Sequence, residues 1–224
     1  MEPVILTHTG PSAPGRDTTG WATHEARLRD VPLRVLRGLL PATARATMIV
    51  CELRRTAPVP PLLGLPPATV SAPVVLVPEG LGPSHHRPDV VLGVDARDPA
   101  PAAIDFAFGC ARVRGGSRLH AVHAWQLPPD APRLPFGLPE VDRATWEDQE
   151  VQLLADVLRP WRAKYAEVQV LEDVRLFTPA EAVLRCSTHT ALSVIGRSSR
   201  TAGWGAVTQS LLAGTTCPVA VVPS

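Results

Sequence analysis

At 224 residues the chain has room for one large domain or two small ones, with ample length for a core. Its hydrophobic fraction of 45 % and formal net charge of +1 describe a globular protein with no electrostatic ground for binding nucleic acid or a membrane surface. No apolar run approaches the roughly 18–20 residues of a membrane-spanning helix. The start, MEPVILTHTGPS, has no basic stretch before its short apolar run, so no signal peptide is expected. Cys51, Cys110, Cys186 and Cys217 are scattered without a C-x-x-C pair. That pattern suits reduced thiols in the cytoplasm better than a disulfide framework or a zinc site.

In chain order, Val4-Ile-Leu6 predicts a short strand and Asp17 to Arg29 a helix carrying Trp21, Ala22, Glu25 and Ala26. Pro32 to Leu36 alternates like a strand, Leu39 to Ala46 has space for one or two helical turns, and Thr47 to Cys51 is another apolar run. Pro58 to Pro67 holds five prolines and cannot form a regular helix. Pro73 to Val77 predicts a further strand, after which Gly80 to Pro88 is polar and rich in Gly, Pro and His.

From Asp89 the programme restarts. Val90 to Val94 reads as a buried strand, Pro101 to Val113 as a helix stopped at Gly115-Gly116, and Arg118 to Trp125 as a strand. Asp142 to Lys164 has helical spacing, and Pro160 is expected to end or kink it. Val168 to Leu176, Pro179 to Ser187, Ala191 to Ile195, a helical turn around Leu211-Leu212 and Pro218 to Val222 complete a β-α alternation. Such alternation calls for a parallel sheet covered by helices on both faces.

An offset of 86 residues lays Val4-Ile-Leu on Val90-Val-Leu and Leu33 to Leu36 on Leu119 to Val122; a larger offset lays Ala72 to Pro78 on Cys217 to Pro223. Similarity at both ends of a unit marks a repeat. Between those ends, ten residues (Arg37 to Ala46) stand where the second unit has sixty-eight (His123 to Thr190). The expected organisation is a shortened domain over 1–80, a linker over 81–88 and a fuller domain over 89–224.

The last segment, Ala191 to Pro223, runs strand, Gly-punctuated loop, helix, strand, a layout in which loop amides and a helix N-terminus face an anion. It resembles the closing segment of the universal stress protein family, where a strand ends in G-x-x-G and G-[ST]-V-[ST] opens the last helix. Gly196 matches the first glycine, Gly205-Ala206-Val207-Thr208 the second motif and Cys217-Pro218 to Val222 the last strand. Val90 to Asp95, Leu119 to Trp125, Leu158 to Trp161 with Tyr165, and Pro179 to Val183 extend the resemblance through the second half. It departs from the pattern at Ser199, which replaces a glycine, at Ala206, which replaces a hydroxyl residue, and in a shorter loop.

The resemblance implies an open parallel five-stranded sheet of the universal stress protein or adenine nucleotide alpha hydrolase-like kind, with helices on both faces, preceded by a truncated copy. It also implies that Asp95 contacts the adenine of ATP, that Ala124 borders the base, and that Gly196, Gly205, Ala206 and Val207 serve ribose and phosphates. Read from its residues alone, Asp95 is equally a turn or helix cap, and Arg197 and Arg200 either pair phosphate or are solvated. The first half has Thr9 where the acid would stand. Ser199 adds bulk where glycine permits close approach, and Ala206 removes a donor worth about 1 kcal/mol. ATP, with its Mg, is therefore expected to bind weakly or not at all.

No other metal site is expected, since His120 and His123 lie three apart on a strand and face opposite sides. Glu147, Asp148 and Glu150 fit the exposed face of a helix, and no catalytic residue is assigned. Three functions remain: a stress-response regulator acting through an unidentified protein partner, an ATP-binding switch that hydrolyses or autophosphorylates slowly, or a structural dimerisation module. The two uncharged last strands, Pro73 to Val77 and Pro218 to Val222, are expected to pair and make an internal pseudo-dimer of the two halves.

Overall fold

The structure, a computed structural model, describes residues 4–8, 16–36, 46–54, 70–81, 89–115, 117–127, 140–188, 190–197 and 203–223. The expectations for Thr9, residues 39–45, Pro58 to Pro67, most of the polar stretch up to Pro88, Ser199 and Arg200 lie outside those residues.

The first half supplies strand β1 (Ile5–His8), helix α1 (Arg16–Arg29) and strands β2 (Leu33–Leu36), β3 (Met48–Leu53) and β4 (Val74–Pro78). The second supplies β5 (Val90–Val94), α2 (Pro101–Val113), β6 (Arg118–Ala124), α3 (Glu140–Lys164), β7 (Gln169–Arg175), α4 (Pro179–Cys186), β8 (Leu192–Gly196), α5 (Ala206–Gly214) and β9 (Val219–Val222). Local chemistry explains several boundaries. Pro101 opens α2, where a missing N–H costs nothing, and Gly115 leaves that helix at φ +48°, in the region that favours glycine. A Thr178–Glu181 capping box opens α4.

The sheet has nine strands rather than five, in the order β2-β1-β3-β4-β9-β8-β5-β6-β7. Each half is parallel within itself, and the halves join antiparallel through β4 and β9, with Val75 opposite Ala220. Both strands are fully buried along their length. Neither carries a charge that would blunt an edge, so each covers the other's open ladder.

The two faces have separate cores. On one, Trp21, Ala22 and Ala26 of α1, Ile104, Ala107 and Phe108 of α2, and Leu154 and Leu158 of α3 pack on alternate strand residues such as Val75, Leu92, Leu119 and Val194. On the other, Ala182 and Val183 of α4 and Leu211 and Leu212 of α5 cover Leu76, Val91, Val122, Ile195 and Val219. Strands buried on both sides account for the unbroken apolar runs in the sequence.

Pro160 does not end α3, which continues to Lys164. The helix is held on both sides of the proline: Leu154 and Leu158 are fully buried and Trp161 packs on the same core. That burial outweighs the lost backbone bond, about 3 kcal/mol.

Buried charges link the halves on the first face. The Glu25 carboxylate of α1 pairs with Arg29 one turn on and with Arg114 at the end of α2. Arg29 also donates to the Cys110 Sγ at 2.9 Å. Burial pushes the Cys110 thiol up to about 11, so the sulfur facing Arg29 stays protonated at neutral pH.

Candidate functional site

In an open parallel sheet the loops that leave the strands' C-terminal ends build the ligand crevice, at the point where strand order reverses. In the second half that point lies between β5 and β8, because the chain passes outward through β6 and β7 before returning. Asp95 follows β5, Ala124 ends β6 and Gly196 ends β8, so three of the sequence-derived residues stand on one edge of three adjacent strands. Gly205, Ala206 and Val207 open α5, reached from β8 through residues 197–204.

Asp95 is exposed, and its Oδ1 accepts from the backbone N–H of Arg97 at 3.0 Å and of Asp98 at 3.3 Å. This closes an Asx-type turn: one carboxylate oxygen is spent shaping the loop. Gly196 serves close approach, since a Cβ built there would sit 2.6 Å from the Ala100 Cβ. The loop from β5 to α2 therefore crosses directly over it, and no larger residue fits without movement.

At α5, Gly205 is an extended N-cap residue without a side-chain cap, and the first turn carries no acid. Ala206 and Val207 are exposed while Thr208 is buried. The helix's first amides have no intrahelical acceptor, so this end suits an anion. Trp204, just before it, has an indole Nε1 buried without a hydrogen-bond partner among the described residues. The Arg197 backbone N–H donates to Val222 O at 2.7 Å, and its Nη1 donates to Val70 O, in the first half, at 3.0 Å. Burial lowers the Arg197 pKa.

Sequence spacing overlooked a buried group beneath Asp95. His123 of β6 places Nδ1 3.1 Å from Val94 O and 3.3 Å from Ala96 N, the two backbone groups flanking Asp95. Its Nε2 lies 3.0 Å from the Glu150 Oε2, and the other Glu150 oxygen receives Arg97. Glu150 is buried, not on the exposed face expected of it. It stands four and eight residues before the core residues Leu154 and Leu158, on their side of α3. Whether Nδ1 carries a proton decides which backbone group it serves: with one it donates to Val94 O, and without one it accepts from Ala96 N–H. The group thus ties α3, β6 and the Asp95 loop together.

His120 faces the opposite side of the sheet, as the strand period requires, and its Nε2 donates to the Asp173 Oδ2 at 2.8 Å.

The universal stress protein family model matches residues 87–223. A universal stress protein of Mycobacterium tuberculosis is 33 % identical over 132 residues, 57 % of this chain and 40 % of that protein. One from Mycolicibacterium smegmatis is 34 % identical over 161 residues, 68 % and 51 % of the two chains. The chain thus spans about half or less of the length of these curated relatives. Among solved structures, a universal stress protein from Archaeoglobus fulgidus superposes with a TM-score of 0.51 at 15 % identity, covering 98 % of this chain and 85 % of that one. A protein of unknown function from Pseudomonas aeruginosa gives 0.53 at 15 %, covering 98 % and 81 %. At such identity the structural likeness concerns the fold alone.

Proposed function

The chain belongs to the universal stress protein family, and from that premise we propose that it is a stress-response regulator working through contacts with another protein, its ATP affinity weak or lost. One observation carries this reading: Arg197, the first cation of the candidate phosphate loop, is held on the Val70 carbonyl of the other half. The residues fit ATP only in part. The acid-free N-terminus of α5 suits an anion, but Asp95 is engaged in its own turn and the space over Gly196 is filled by Ala100. No catalytic residue is assigned.

We read the first half as a shortened copy of the second. Its strand order, β2-β1-β3-β4, parallels β6-β5-β8-β9 without a counterpart of β7, and the β4–β9 junction then joins two copies as an internal pseudo-dimer. Four free cysteines, three of them buried, suit the reducing cytoplasm.

Equilibrium titration of the full chain with a fluorescent ATP analogue, with and without Mg, tests the proposal. The expected Kd is weaker than about 0.1 mM, roughly −5.5 kcal/mol, and Asp95→Ala or Gly205→Val removes whatever binding exists. Mg-dependent binding in the low micromolar range overturns it in favour of the second reading, an ATP-binding switch, which the open end of α5 favours.

A further inference from the structure

We infer that the face of the sheet covered by α4 carries a site for one borderline divalent cation, zinc(II) by preference, held by His120, Asp173 and Cys186. The three residues come from β6, β7 and the last position of α4 and are far apart in sequence. The fold brings one ligand atom of each to within 4.8 Å of the others, all three residues being partly buried. The Asp173 Oδ2 lies 2.8 Å from the His120 Nε2 and 3.9 Å from the Cys186 Sγ.

Zinc bonds of about 2.0–2.3 Å in tetrahedral geometry set ligand atoms roughly 3.3–3.8 Å apart. The cluster therefore needs rotamer adjustment, not backbone movement. One nitrogen, one oxygen and one sulfur donor suit zinc and its neighbours rather than magnesium or calcium, which take oxygen. Thiolate and carboxylate together balance a 2+ charge when the imidazole is neutral. Three protein ligands leave a fourth position for water or an outside donor.

Two features of the surroundings bear on the ion. Cys186 ends α4, where the helix's unpaired carbonyls favour positive charge. Arg175 already rests on the same carboxylate, its Nε on Oδ1 and its Nη2 on Oδ2, each at 2.7 Å. Its side chain is 43 % exposed, so Nη2 can leave Oδ2 for solvent while Nε stays on Oδ1 and orients the ligand. The incoming ion takes the Cys186 thiolate and the His120 Nε2 lone pair. The thiol proton passes to water, and the Nε2 proton is exchanged through water for one on Nδ1, which keeps the imidazole neutral, so binding weakens as pH falls. An ion here would staple α4 to β6 and β7. Since α4 leads into β8 and packs against α5, it would brace the elements that carry Gly196 and Gly205.

Cobalt(II) is the spectroscopic probe and zinc(II), in competition with a chromophoric chelator, the affinity probe, both on the reduced full chain. The expected result is one equivalent of cobalt with a thiolate-to-cobalt charge-transfer band and tetrahedral d–d bands, displaced by zinc. Cys186→Ser abolishes the charge-transfer band, and His120→Gln weakens zinc by at least about tenfold, a loss that supporting groups alone can cause. Arg175→Gln retains the band. A band that survives Cys186→Ser, or a zinc affinity unchanged in both ligand variants, overturns the proposal, and so does failure of the parent chain to bind either ion. Circular dichroism and thermal melts of each variant separate lost ligation from lost folding. These outcomes are independent of whether ATP binds.

Discussion

Replacing Glu25 tests whether buried charge clamps the two halves. Its side chain is fully buried, and its partners Arg114 and Arg29 are 6 % and 13 % exposed. Glu25→Gln keeps the shape but strands two guanidinium groups, one on α1 and one at the end of α2. Removing one member of a buried ion pair costs about 3–5 kcal/mol, set against a typical total stability of about 5–15 kcal/mol. For a chain of this size that is a fall in Tm of roughly 6–20 °C. Urea unfolding followed by tryptophan fluorescence measures it, Trp21 lying one helical turn before Glu25. Replacing the whole group with apolar residues, Glu25→Leu with Arg29→Met and Arg114→Met, recovers most of the loss, because the desolvation cost disappears with the charges. A Glu25→Gln penalty below about 1 kcal/mol, the range of exposed pairs, would refute the clamp.

At the strand junction, Val75→Glu or Ala220→Glu buries an unpaired carboxylate where both residues are fully buried. Each is expected to remove several kcal/mol or unfold the chain, and a urea midpoint within error of the parent counts against the pairing. In thiol labelling at pH 8, Cys186 is expected to react first. Cys51, Cys110 and Cys217 are buried, with burial pushing Cys51 up to about 12, and fast modification of more than one thiol contradicts this. Burial pulls the Asp105 carboxyl up, but hydrogen bonds from Lys164 and Tyr165 outweigh it and hold the carboxyl below its ordinary range. Its contribution is then whole above the unfolded value of about 3.9 and is lost as pH falls through the folded value. The stability gap between the parent and Asp105→Asn should close on acidification, and a gap constant from pH 7 to pH 3 rules the linkage out.

The strands were legible because both faces of the sheet are covered, so each reads as an apolar run such as Val90 to Val94. Polar residues on core stripes were harder to read. Glu150 looked exposed beside Glu147 and Asp148, although its spacing from Leu154 and Leu158 already placed it inward. Glu25 shares a stripe with Trp21, Ala22 and Ala26, yet nothing in the spacing tells that Arg114, 89 residues away, would neutralise it. The same holds for His120: its spacing from His123 excludes a shared metal, but only the β6–β7 register and the end of α4 reveal Asp173 and Cys186. At Pro160 the helix does not end, because packing on both sides of the proline outweighs one missing hydrogen bond.

The antiparallel junction also determines which part of the first half reaches the candidate site. Since β4 runs against β9, the start of β4 lies beside the end of β9, on the edge where β8 ends at Gly196. The chain entering β4 therefore arrives at the second half's candidate crevice, while the C-terminal ends of β1 and β3 open on the opposite edge. Val70, 5 % exposed and packed in the core shared with α4 and α5, is the residue so delivered. Its carbonyl takes the Arg197 guanidinium. A neutral carbonyl satisfies one donor of an arginine without cancelling its charge, so this contact holds Arg197 in place and leaves it cationic. In this arrangement the segment entering β4 flanks the second half's candidate crevice and meets Arg197 there through the Val70 carbonyl.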